Sequence, residues 1–122
     1  MTLGYYMKKI IPLSIILLSG CMSSVQDARE YNGQDSSYHS RYSADVTATC
    51  IKTKWQDVYA ADPSKIWLTK PDNNGIYSVY AASFLYLADV KDDIKGSSVT
   101  YYNNGDRLWG TKEKMIQGIK SC

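Results

Sequence analysis

The sequence predicts an α+β domain: a small antiparallel sheet of about four strands in a meander, with one helix before it and one after it, both on one face. Three observations carry this. Apolar residues at 44, 48, 51, 55 and 58 are spaced as on one side of a helix. Residues 66–102 then change to short runs rich in β-branched and aromatic side chains, divided by Asp-Asn-Asn-Gly and by a charged stretch. A second helical stripe, Met115, Ile116 and Ile119, closes the chain. Helices set apart from a run of strands are the α+β pattern, in which they bury their apolar sides against the sheet.

The first helix is expected from about Ala44 to Val58, with Trp55 in the middle of its stripe as a core residue. Val46, Ala48 and Cys50 also alternate as a strand would, but Asp62-Pro63 beyond Val58 suits a helix end. Ile66–Leu68 forms a short strand and Asp72–Gly75 a turn, in which Asn-Gly supplies the positive φ of a tight hairpin. Ile76–Ser83, Phe84–Val90 and Ser97–Tyr102 follow as strands, with Lys91–Gly96 as a charged loop. Asn103–Asp106 turns the chain into a last helix that starts near Thr111 and ends at Cys122.

Alternation assigns the strand faces. With Ile66, Leu68, Val79, Ala81, Leu85, Leu87, Val99 and Tyr101 towards the helices, Trp67, Tyr80, Phe84, Tyr86, Thr100 and Tyr102 point the other way. The uncovered face is then aromatic, and exposed Tyr and Trp often anchor interfaces. Trp67, Tyr80, Phe84, Tyr86 and Tyr102 are therefore the candidate binding face, set against the simpler reading of cross-strand pairs that only stabilise the sheet.

Chemistry has thinner support, and no enzyme activity is expected. His39 is the single histidine and lies in a polar segment, so Ser64 and Ser83 lack a base, and no phosphate loop or metalloprotease motif is present. Asp89, Asp92 and Asp93 beside Lys91 and Lys95 could hold a cation or act as an acid and base pair, although charges in a loop are usually just solvated. No metal or cofactor is expected.

Ahead of all this stand Lys8 and Lys9, an apolar run Ile10–Leu18 broken only by Pro12 and Ser14, then Ser19, Gly20 and Cys21. The run is too short for a bilayer of about 30 Å, which needs roughly 20 apolar residues. Leu18-Ser19-Gly20-Cys21 resembles the lipobox of a bacterial lipoprotein, a resemblance confined to about the first 22 residues. It implies a signal peptide over residues 1–20, cleavage before Cys21, and fatty acylation (palmitate or a like chain) of its sulfur and new amine. Met7, directly before the lysines, is a more typical start than Met1. Several acyl chains hold such a protein on the membrane almost permanently. In lipoproteins of enterobacterial type, the pattern that follows the cysteine here, Met22 and Ser23 with no Asp, implies transfer to the outer membrane, and the domain is expected to face the periplasm.

Cleavage would leave 102 residues with 12 basic and 12 acidic side chains, one domain of zero formal net charge and no electrostatic footprint for nucleic acid. With Cys21 taken by lipid, Cys50 and Cys122 remain in an oxidising compartment, and a disulfide between them is expected. Its loop of roughly 70 residues corresponds to about 4 kcal/mol in the chain-entropy picture. Residues 21–43, rich in Ser, Gln, Asp, Asn and Tyr, read as a lipidated flexible tether, and residues 44–122 as the single α+β domain. The functional expectation is a lipid-anchored, non-enzymatic module that binds an envelope or incoming protein as inhibitor, exclusion or immunity factor. The alternative is a structural or assembly accessory of a larger envelope complex.

Overall fold

The stripe Ala44, Ala48, Ile51 and Trp55, joined by Thr47, is the buried side of a 15-residue helix. The computed structural model that shows this describes residues 25–60, 62–81, 84–103 and 110–122. The expected signal peptide, the lipidation cysteine Cys21 and the turn after Asn103 lie outside the described residues. In chain order the elements are α1 (Val25–Asn32), β1 (Gln34–Ser40), α2 (Ala44–Val58), a 3-10 turn (Pro63–Lys65), β2 (Ile66–Leu68), β3 (Tyr77–Ala81), β4 (Tyr86–Asp93), β5 (Gly96–Asn103) and α3 (Thr111–Lys120). The strands form one antiparallel sheet in the order β1-β5-β4-β3-β2. The expected meander is β2 to β5, and β1 adds a fifth strand beside β5.

On one face, α2 and α3 close over the main core. Trp55 is wholly buried, donates its Nε1–H to the Met115 carbonyl at 3.0 Å and meets the Tyr101 ring edge-on at 6.2 Å. Burying such side chains contributes roughly 3 kcal/mol each. Gly118 permits the close approach of the two helices, since a Cβ there would lie 3.2 Å from the indole. Cys50 and Cys122 join α2 to the chain after α3, with sulfurs 2.10 Å and Cα atoms 5.9 Å apart, as expected from the sequence.

Three expectations need correction. The segment expected as a tether, 21–43, is from Val25 onward part of the fold. Its composition is polar because β1 is an edge strand with one side in water, yet β5 pairs with it from Gln34↔Tyr102 to Ser40↔Ser97. Ala28 is fully buried, Tyr38 packs on the main core, and Lys120 Nζ stands 5.9 Å over the Tyr38 ring. One alanine, one tyrosine and a ladder of backbone hydrogen bonds suffice where a count of aliphatic residues does not detect them.

The sheet is consequently covered on both faces, with α1 across the back of β4 and β5. This bears on the second correction, the register of β4. Ala81 pairs with Tyr86 across four intervening residues, so inward positions are odd-numbered on β3 and even-numbered on β4. Tyr86, Ala88 and Val90 enter the main core, and Leu87 turns to the back, where it is buried as completely as Tyr86. Apolarity alone could not separate these faces because both are dry. Leu85 precedes the strand and is half-buried against the core.

The third concerns residues 91–96, expected as a loop. Strands β4 and β5 run on to Asp93 and Gly96, leaving a two-residue turn at Ile94-Lys95. Gly96 has φ +140°, and a Cβ there would lie 2.1 Å from the Ser40 carbonyl oxygen, so only glycine fits between hairpin and β1.

Candidate interaction surface

Strand β2 is three residues long and lies at the open edge of the sheet. Alternation turns Ile66 inward, where it is buried, and Trp67 outward, where it is 58 % exposed. Directly opposite Trp67 in register is Tyr80 of β3, half-buried, and Tyr80 stacks on Phe84 with ring centroids 4.5 Å apart and planes 22° from parallel. Phe84 has φ +67°, a conformation that a bulky side chain adopts only at a cost. Its carbonyl accepts a hydrogen bond from Asn32 Nδ2 at 3.0 Å, which ties this bend to the end of α1.

Of the five residues expected on the binding face, Trp67, Tyr80 and Phe84 thus come together at the β2 edge. Tyr86 does not belong there, because the register places it wholly in the core. Tyr102 is on the back face but away from that edge, since it pairs with Leu87 and lies near Arg29 and Asp89. Burial, then the Asp89 carboxylate, push its phenol above the ordinary tyrosine range.

The three carboxylates that might have formed one site are pulled apart. Asp89 is buried and takes a two-point ion pair from Arg29, with Nε to Oδ2 at 2.5 Å and Nη2 to Oδ1 at 3.0 Å, plus the Ser78 hydroxyl at 2.7 Å. That hydrogen bond to Asp89 raises the Arg29 pKa further, so the guanidinium stays charged. Asp92 points to the opposite face and accepts the Ala44 N–H at 2.7 Å, satisfying a donor at the start of α2. Asp93 accepts the Ser98 hydroxyl, the Lys95 N–H and a long contact from His39 Nε2 at 3.4 Å. The Ser98 bond leads in holding its pKa below the usual carboxylate value. Among the described residues no group of three His, Cys, Asp or Glu side chains converges.

Sequence reasoning missed two features. Arg29 was invisible as a partner for Asp89 because 60 residues separate them. Ile94 is fully exposed at the tip of the β4–β5 hairpin, beside a shallow depression of ≈ 330 Å³ lined by His39, Asp93, Ile94 and Lys95. The signal for that tip is Asp-Ile-Lys-Gly itself, two strand-like runs separated by two residues with glycine next. No helix among the described residues is long and apolar enough to cross a membrane. Comparison with protein-family models, with curated proteins and with solved structures finds no match for this chain.

Proposed function

We propose that this chain is a lipid-anchored lipoprotein of a bacterial outer membrane, acylated at Cys21 and facing the periplasm, that binds an envelope or incoming protein through the β2 edge and acts as an inhibitor, exclusion or immunity factor. The observation that carries the binding reading is Trp67, a large indole more than half exposed on an edge strand, with Tyr80 and Phe84 beside it. An exposed tryptophan with tyrosine and phenylalanine beside it has the composition of an interface anchor. The lipobox-like Leu18-Ser19-Gly20-Cys21 supports the anchoring.

The test is a crosslinked pull-down of the tagged, lipidated protein from intact envelopes and from envelopes challenged with phage, toxin or lysozyme, beside Trp67→Ala. Truncating a central aromatic anchor weakens binding by about 2 kcal/mol, roughly 30-fold. Substitution at this exposed position should leave the far-UV circular dichroism unchanged. A specific partner retained equally by Trp67→Ala sinks the β2-edge assignment. A partner held in fixed stoichiometry with a large envelope complex would replace the inhibitor role with an accessory one.

A further inference from the structure

We propose that the contact between Asn32 and Phe84 is a clasp that switches the aromatic edge: closed, it holds Phe84 stacked on Tyr80 beside Trp67, and opening it at the end of α1 undoes that arrangement. The inference rests on the reading of the β2 edge as the binding surface and adds how α1 regulates it.

Two sets of bonds tie α1 to the surroundings of the aromatic residues, and they differ in kind. Arg29 donates to both oxygens of the buried Asp89 and to the Ser78 hydroxyl. Ser78 and Tyr80 occupy alternate positions on β3 and therefore share the back face of the sheet. This is a charge-assisted, two-point pair, the strong form of the interaction. Asn32, one turn later and last in the helix, donates Nδ2 to the Phe84 carbonyl at 3.0 Å. Its other polar atom, Oδ1, is buried with no hydrogen-bond partner among the described residues.

The second contact carries a cost on each side. Phe84 has φ +67°, where its side chain crowds its own backbone, and a bulky residue keeps that conformation only while its surroundings impose it. Asn32 Oδ1 gives up water without gaining a donor. If the end of α1 lifts, Phe84 relaxes to negative φ and Oδ1 is hydrated, while the Arg29–Asp89 pair and the wholly buried Ala28 keep the rest of the helix on the sheet. The closed and open forms are therefore nearer in free energy than a fully satisfied contact would make them, the condition for a switch.

The consequence falls on the binding surface because Phe84 belongs to it. Its ring centroid lies 4.5 Å from that of Tyr80, and Tyr80 stands opposite Trp67 in register. A change in the sign of φ at Phe84 re-aims its Cα–Cβ bond and takes the ring off Tyr80. A partner that seats on the three rings as one group favours the closed clasp, and by reciprocity the closed clasp raises the affinity for that partner, with couplings of this kind amounting to about 5- to 150-fold.

The experiment uses Asn32→Ala and Phe84→Ala in the full chain, and its first reading is proton NMR with no partner present. Stacking shifts the Tyr80 ring protons upfield in the unsubstituted protein, and Phe84→Ala marks where they lie without it. The expected result is that Asn32→Ala moves them most of the way to that position, while the α1 amides up to Arg29 stay protected from hydrogen exchange. Tyr80 protons left unmoved by Asn32→Ala overturn the inference. So does a loss of protection along the whole of α1, which would make Asn32 an ordinary structural contact of the helix. The second reading repeats the crosslinked pull-down with Asn32→Ala beside Trp67→Ala, and a capture that depends on Trp67 should fall about tenfold with Asn32→Ala. Adding Phe84→Ala to Asn32→Ala should weaken it no further than Phe84→Ala alone, because Asn32 acts through Phe84. The absence of any partner that depends on Trp67 overturns the β2-edge reading and this inference together. A partner lost with Trp67→Ala yet held equally by Asn32→Ala overturns this inference alone.

Discussion

Replacing Arg29 with alanine should destabilise the domain by about 2–3 kcal/mol. The side chain donates to both oxygens of Asp89 and, at 3.1 Å, to the Ser78 hydroxyl. Without it Asp89 stays buried with the Ser78 hydroxyl still in place but its countercharge gone. Removing one partner of a fully buried pair costs about 3–5 kcal/mol. Here the Arg29 side chain is 19 % exposed, so water can enter the vacated space and the loss falls to the bottom of that range or just below it. In a domain of this size that is a fall in melting temperature of about 10–20 °C. Urea and thermal unfolding followed by circular dichroism measure it. Adding Asp89→Asn to the alanine variant should recover part of the loss, because the stranded charge is then absent. A change below about 0.5 kcal/mol for Arg29→Ala would refute the reasoning. Residues 25–32 would then not hold to the back of the sheet, and the flexible-tether expectation would be restored for them alone, since β1 pairs with β5 independently.

Two further outcomes follow from features already described. Replacing Cys50 and Cys122 together by alanine should lower the urea midpoint by the equivalent of about 4 kcal/mol, since the closed loop spans 72 positions; an unchanged midpoint would show that the bond does not form. Alkali should lower the stability of the protein through Tyr59 and Tyr102, whose pKa values burial raises above the ordinary value. A phenol raised in the folded state contributes stability that is fully present below about pH 10, the unfolded value, and is lost as pH rises through the higher folded one. Tyrosinate absorbance beside urea midpoints measures this, and a midpoint that stays flat while both phenols ionise would contradict it.

Much of the main core was legible because it rests on local periodicity. The stripe from Ala44 to Trp55, the helix carrying Met115 and Ile119, the Asp72–Gly75 turn and the order of β2 to β5 each follow from spacing within a few residues. The pairing of Cys50 with Cys122 followed from counting once Cys21 was set aside. What failed was whatever depends on a distant partner. Arg29 has meaning only beside Asp89, and β1 only beside β5. Tyr86 and Leu87 are adjacent, apolar and equally buried, so no local pattern states which one faces the α2–α3 side. The number of residues between Ala81 and Tyr86 decides it, through the hairpin. The outward direction of a side chain was read correctly where it lay on an edge strand with one wet face, at Trp67, and incorrectly where the sheet was dry on both sides, at Tyr86.

Because α1 and β1 belong to the fold, the protein has no sheddable stalk among its described residues. A lipoprotein on a loose tether can be clipped by a protease and released as an intact, diffusible domain. Here a cut between β1 and α2 would detach both α1, which covers the back of β4 and β5, and β1, the outer partner of β5. An apolar patch and an unpaired strand edge would be exposed together, the combination that leads to aggregation. On the proposed reading of Cys21 as the anchor, a product cut there would be cleared instead of acting at a distance from the membrane.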